Sequence, residues 1–235
     1  MRPLIVAAMS LLVPGLAQAQ ALMCTAPAVP PVPRPDVPTS DQPTRLLAIG
    51  GYTLALSWVP QYCRTSGFSP SARFECASGN RFGFALHGLW PDGVGKEWPQ
   101  YCAATALLPP ATIRGVLCAT PSAQLIQHEW AKHGTCTGMT ADAYFARSTG
   151  LYRALSSPDM SVLSRRALTA GALAAAIATA NPRLPANAVR VTTTRDGWLD
   201  ELWLCLDKRY RYAQCRAGSG GVAPETRVRI WRGDR

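Results

Sequence analysis

A chain of 235 residues, 48% hydrophobic and 16% charged, suits one globular domain with a core large enough to fold alone. After the N-terminal leader no segment approaches the roughly 20 apolar residues that a spanning helix needs, which argues against a membrane anchor. The formal charge of +10 and pI near 9.6 favour a polyanionic partner, held through neutralised phosphates and released counterions, with a merely basic exported protein as the alternative.

Residues 1–19 have the form of a cleaved signal peptide: a basic Arg2, an apolar run from Leu4 to Leu16 and a small-x-small site at Ala17-Gln18-Ala19. The expected location is therefore periplasmic or secreted. A lipid anchor on Cys24 fits poorly, because Met23 stands where a small residue is wanted. All eight cysteines follow the leader, and an even number in an exported chain points to disulfides rather than thiols. A cysteine metal site is disfavoured, since there is no Cys-x-x-Cys pair. Residues 20–45 are dense in proline without a hydrophobic period and read as an extended arm, with Cys24 able to pin it to the body. Residues 46–235 then form a single domain.

Within that domain, residues 52–58, 81–88 and 198–206 carry apolar residues at period two and predict strands, as do "VRVTTT" and "TRVRIW". Helices are expected over Ala123 to Lys132, over "TADAYFARSTGLYRAL" with Thr140 as N-cap, and over "TAGALAAAIATAN", which Asn181-Pro182 stops. Strands and helices interleave without a regular repeat, so the class is α+β.

Chemistry concentrates in "QHEWAKHGTC", Gln127 to Cys136. The zinc-protease pattern requires histidines four apart, but here His128 and His133 are five apart. On a regular helix, at roughly 100° per residue, they would diverge by about 140°, too far to share one ion. Glu129 with His133, and His128 with Lys132, are the pairs that would share faces, an arrangement suited to proton transfer beside an anion. Gly134 is expected to end the helix. The third histidine of the chain, His87, stands at the end of a predicted strand in "FALHGLWPDG". A single histidine is most often structural; confinement of all three to two short motifs weakens that reading here.

"HGLWPDG" and "HEWAKHGTC" resemble, in order and separation, the two signature segments of the ribonuclease T-two family of acid ribonucleases. "YTLALSWVPQYC", Tyr101-Cys102 and "DELWLCLD" extend the likeness over roughly residues 50–215. The resemblance implies a central, mainly antiparallel β-sheet flanked by helices and stapled by disulfides. It also implies a metal-free, cofactor-free endoribonuclease acting on single-stranded RNA, with no obligate protein partner. RNA carries a 2′-hydroxyl beside each phosphodiester; its deprotonation yields a 2′,3′-cyclic phosphate, which water opens to a 3′-phosphate. By resemblance His133 is the base and His87 the acid, Lys132 and Glu129 assist the phosphoryl centre, and His128 binds phosphate. An exposed helix salt bridge is the competing reading of Lys132 and Glu129. The resemblance also implies that Trp90 lines a base pocket with Asp92 as a polar contact; Trp98, whose surroundings depart from the family pattern, is the weaker candidate, and core packing competes for both tryptophans. The resemblance pairs Cys102 with Cys136 and Cys63 with Cys76. Cys205–Cys215 is a plausible local bridge, and Cys24–Cys118 is what then remains.

Two other functions compete. One is a cationic nucleic-acid-binding or antimicrobial protein with secondary or no catalysis; the other is a zinc hydrolase, disfavoured by the histidine spacing.

Overall fold

The computed structural model describes residues 22–233, so the expected leader lies outside the described residues. In chain order the strands are β1 (Ile49–Trp58), β2 (Phe84–Gly93), β3 (Leu168–Thr169), β4 (Val189–Thr193), β5 (Leu199–Leu206) and β6 (Arg227–Val228). The helices are α1 (Val59–Ser66), α2 (Arg73–Cys76), α3 (Pro110–Val116), α4 (Ala123–His128), α5 (Ala141–Arg153), α6 (Met160–Leu163) and α7 (Ala170–Ala180). An antiparallel sheet in the order β2-β1-β5-β4 is the centre of this α+β fold, and β3 with β6 makes a separate two-stranded ribbon.

Alternation along β1 decides which face of the sheet does what. Tyr52, Leu54, Leu56 and Trp58 join the core, together with Leu202, Leu204 and Leu206 of β5. Thr53 and Ser57 point the other way and bond to polar side chains, Asp92 and Glu201. One face is thus dry and helix-covered, while the other is open for chemistry.

β2 is an edge strand, and its outer backbone groups are capped rather than left free. Leu86 N–H donates to Ala119 O, and the Thr120 hydroxyl donates to Leu86 O at 2.8 Å. From α5, the buried hydroxyls of Tyr144 and Tyr152 donate to Leu89 O and Phe84 O at 3.0 and 2.8 Å. The strand starts at Phe84 and runs through Pro91 to Gly93, rather than over 81–88, because proline is tolerated where an edge needs no N–H. "TRVRIW" contributes strand only at Arg227–Val228.

Thr140 caps α5, accepting from Ala143 N–H, and Thr169 caps α7 in the same way. α7 stops at Asn181, whose amide bonds both backbone groups of Ser156 and so ties the helix end to the loop after α5. Four disulfides close the structure: Cys24–Cys118, Cys63–Cys76, Cys102–Cys136 and Cys205–Cys215.

Candidate active site

His87 is delivered by an irregularity in β2. Ala55 of β1 faces Gly88 and the next residue, Leu56, faces Leu86, so His87 is the extra residue of a β-bulge. In strict alternation His87 would share a face with Leu89, opposite Trp90. The bulge re-aims it, and its ring meets the Trp90 indole edge-on at 5.0 Å. Its Nδ1 lies 2.5 Å from Glu201 Oε1. That carboxylate also accepts from Ser57 Oγ at 2.8 Å and from Trp203 Nε1 at 2.7 Å, so β1 and β5 fix the orientation of a side chain on β2.

The second motif is not a regular helix. α4 ends at His128, a π-helical turn spans Glu129–His133, and a short 3-10 turn follows over Gly134–Cys136. In a π turn the backbone hydrogen bonds span i to i+5, which brings residues five apart round to neighbouring positions, so His128 and His133 come together instead of diverging, with ring centroids 6.3 Å apart. The expected pairing of Glu129 with His133 is likewise replaced. Glu129 turns toward β2, accepts from Trp90 Nε1 at 2.9 Å and sits 3.6 Å from His87 Nε2. Ligand atoms of His128, Glu129 and His133 lie within 4.8 Å of one another, so this turn could admit a cation that a regular helix would not.

Two glycines make this meeting possible. A Cβ on Gly88 would lie 1.7 Å from Glu129 Oε2, and one on Gly134 would lie 2.3 Å from the Trp130 ring. Gly134 has an ordinary right-handed φ of −61°, so it is required for close approach of Trp130 and not to end the helix. Gly88→Ala should destabilise the fold by about 1–3 kcal/mol, through overpacking against a carboxylate that has no room to retreat. Chemical unfolding of the variant beside the parent protein measures it, and an unchanged midpoint would contradict the contact.

Electrostatics separates the two central histidines. His133 is 5% exposed, and burial with the charges of Lys132, His128 and His87 holds it well below 6.5, as a neutral ring. Burial also pulls His87 down, but the Glu201 bond and the Glu129 charge outweigh it and leave His87 above 6.5. Glu129 is pushed up to about 7 by its burial. Burial lowers Lys132 as well, against the pull of Glu129 and Asp36. His133 Nδ1 and Glu129 Oε1 are buried without a hydrogen-bond partner, a cost that sites of chemistry characteristically bear.

A cleft of about 890 Å³ opens beside these groups, lined by Trp90, Asp92, Trp98, Lys132, His133 and Trp203 among others. Trp90 is wedged between His87, His133 and Trp203. Asp92 accepts from the Thr53 hydroxyl at 3.0 Å, and burial raises it against that bond and the Arg216 charge. Arg216, next to the Cys205–Cys215 bridge, closes the cleft wall by donating to Gly93 O and Gly50 O. Trp98 is half-exposed at the rim, under the Arg45 guanidinium and bonded to Gln100. His128 lies behind His133, its Nδ1 3.0 Å from Asp36.

The sequence reading missed Glu201 and Asp36, the carboxylates on His87 and His128. Glu201 had a faint signal, an acidic residue at the same parity as Trp203 in a strand that is apolar apart from its neighbour Asp200. Asp36 had none, because a proline-rich arm has no periodicity from which to place a side chain.

The model of the Ribonuclease T2 family matches residues 49–215. A "Probable ribonuclease" of Haemophilus influenzae is 30% identical over 177 residues, 71% of this chain and 61% of that protein, so the likeness covers less than two thirds of its length. A "Ribonuclease" of Aeromonas hydrophila is 32% identical over 160 residues, 67% of this chain and 71% of that one. Among solved structures, an RNase-related protein from Calystegia sepium superposes with a TM-score of 0.62 at 22% identity, covering 77% of this chain and 96% of its own. RNase NT in complex with 5'-AMP gives 0.59 at 20% identity, over 78% and 98%.

Proposed function

The chain belongs to the Ribonuclease T2 family, and from that premise we propose that it is an exported endoribonuclease cutting single-stranded RNA by metal-free acid/base transphosphorylation. The observation that carries this reading is a pair of histidine rings set against one indole, His87 edge-on to Trp90 at 5.0 Å and His133 at 5.6 Å, with burial and neighbouring charges biasing the two in opposite directions. A neutral His133 accepts the 2′-hydroxyl proton as that oxygen attacks phosphorus. A protonated His87 gives its Nε2 proton to the departing 5′-oxygen, leaving a 2′,3′-cyclic phosphate. In the second step water replaces the 5′-oxygen, His87 accepts its proton, His133 returns the first one, and a 3′-phosphate results.

Lys132 supplies positive charge to the phosphoryl oxygens, where low dielectric strengthens it, and His128, which burial holds below its ordinary 6.5 against the Asp36 bond, adds a hydrogen-bonding ring. Glu129 supports His87 from the opposite side to Glu201 and keeps Trp90 in place. The Trp90 and Trp203 rings and the Asp92 carboxylate form the wall against which a base rests. Four disulfides favour an oxidising compartment, and among the described residues no helix is long and apolar enough to cross a membrane. The net charge of +10 draws the substrate in.

A second reading has its own observation: the closely spaced donors of His128, Glu129 and His133 match the two-nitrogen, one-oxygen set of catalytic zinc sites. One experiment separates the two. With EDTA present, a dinucleoside monophosphate should be converted to the cyclic phosphate and then more slowly to the 3′-phosphate, while the 2′-deoxy analogue stays intact. Activity lost in EDTA and restored by zinc would establish the metal reading. A cationic protein acting by binding alone would show no turnover, and its biological effect would survive alanine at both His87 and His133.

A further inference from the structure

We propose that the arginine–tryptophan stack of Arg64, Trp198, Arg229 and Trp231 is a second RNA-binding site, which holds phosphates of the strand beyond the leaving nucleoside. As a strand-holding site it presupposes the ribonuclease reading above, and it fixes which way a long substrate lies.

The stretch "TRVRIWR" sets apolar residues at period two. Val228 and Ile230 enter the core, so Arg227, Arg229 and Trp231 are left on the outer side, with both arginines exposed. Backbone bonds fix the row. Arg229 N–H donates to Gly197 O at 2.9 Å, Leu199 N–H donates to Arg229 O at 2.7 Å, and Trp58 Nε1 donates to Trp231 O at 2.6 Å. The Trp198 and Trp231 rings meet edge-on at 5.8 Å. Arg64, from the last turn of α1, lies 4.5 Å from the centre of each, and Arg229 lies 4.2 Å from that of Trp198.

An indole face attracts a guanidinium but offers its N–H groups no acceptor. Arg229 donates to Asp196 O, whereas among the described residues the exposed Arg64 side chain donates no hydrogen bond. Asp196 and Asp200 flank Trp198 in sequence, yet among the described residues no carboxylate is in ion-pair reach of either arginine. Two cations are thus held in place with donors open to solvent, which suits the oxygens of a phosphodiester.

Sheet register puts this stack at one end of the substrate's line. Along the open face, Gly51 pairs with Asp92 and Thr53 with Trp90 at the cleft; Ala55 then pairs with Trp203, and Ser57 with Glu201, where His87 is bonded. Ala85, opposite Ser57, packs with Val59, so α1 rises at the far end of that face. Trp198 precedes Glu201 by three residues, a span of at most about 10 Å. The nucleoside supplying the 2′-hydroxyl rests at the Trp90–Asp92 wall, and His87 protonates the oxygen that leaves. The departing strand therefore continues past His87 toward α1, and the stack meets phosphates that a dinucleotide does not have.

The test uses DNA oligonucleotides with one ribonucleotide, so that a single linkage can be cut, extended on either its 3′ or its 5′ side. For the parent, extension on the 3′ side should lower KM more than extension on the 5′ side. In Arg64→Gln/Arg229→Gln that gain should be lost, roughly fivefold in KM for each charge at about 0.1 M salt, and the slope of log KM against log salt should fall by about 1.4. Values of kcat and KM on a dinucleoside monophosphate should stay at the parent level, and Arg64→Lys, which keeps the charge, should keep the slope. An unchanged KM on the 3′-extended substrate, or equal losses on the dinucleotide and both extensions, would overturn the proposal and leave the stack a structural clamp. If the protein cuts nothing, the anisotropy of a labelled all-deoxy strand still decides. Weaker binding by the double variant keeps the site while the ribonuclease reading fails, and equal binding removes the site.

Discussion

Alanine at His133 and alanine at His87 should each lower kcat/KM by on the order of 10²–10⁴-fold, and each should remove a different limb of the pH profile. His133 is held below 6.5 by burial and three neighbouring positive groups, so the base is free except at low pH, and its protonation makes the acid limb. His87 is raised above 6.5 because Glu201 and Glu129 outweigh its burial, so the acid keeps its proton until its own loss makes the alkaline limb. The parent plateau should therefore straddle 6.5. His133→Ala should lose the acid limb and His87→Ala the alkaline one. Limbs alone do not assign roles, because a bell-shaped profile reports two midpoints and not who gives the proton. A nucleoside 3′-aryl phosphate does assign them, since its phenolate leaves without a proton. On that substrate the deficit of His87→Ala should largely disappear, while that of His133→Ala should remain. Rescue of His133→Ala instead would reverse the assignment. The double variant should be little worse than either single one, because base and acid act in the same transition state.

How much of this could be read before folding depends on the range of the interaction concerned. The α+β class, Thr140 as a cap and Asn181 as a stop rest on local chemistry, which the sequence displays directly. The two histidine motifs were visible for the same reason, each being contiguous. What failed was geometry at the joins. Glu129 and His133 would share a face only if the helix stayed regular, and the π turn instead sends Glu129 across to Trp90 and His87. A π turn inserts its extra residue for tertiary reasons, here the seating of Trp130 against Gly134 and Tyr144, and no local propensity announces it. The bulge at His87 is similar: period two finds the strand but sets its bounds at 81–88 instead of Phe84–Gly93, because it has no means of following the chain past the one residue that breaks the period. Glu201 and Asp36 lie 114 and 92 positions from the histidines they hold. Long-range polar partners of this kind leave no pattern in the chain.

Glu201→Gln should be nearly as damaging as loss of His87 itself, at about 10²–10⁴-fold in kcat, although it changes one atom and no volume. The argument is one of donors and acceptors. Glu201 Oε2 accepts from the Trp203 indole and Oε1 from the Ser57 hydroxyl, while His87 Nδ1 approaches Oε1. An indole nitrogen can only donate, so the oxygen of a glutamine must face Trp203 and its NH₂ must face Ser57 and His87. Ser57 can turn its hydroxyl to accept, but His87 Nδ1 must then give up its proton to accept as well. The ring is forced into the neutral Nε2–H tautomer, which can release a proton to the leaving oxygen only by becoming an imidazolate, a far weaker acid than the imidazolium that Glu201 sustains. The charge that raised His87 is gone too, so any remaining alkaline limb should move to lower pH. Nothing in the core changes, so the melting temperature should stay close to the parent value. Measured on the nucleoside 3′-aryl phosphate, Glu201→Gln should recover as His87→Ala does, which separates loss of the acid from general damage to the site. Parent-like kcat with an unmoved alkaline limb would mean that the short His87–Glu201 contact orients nothing, and the proton to the leaving oxygen would have to come from elsewhere in the cleft.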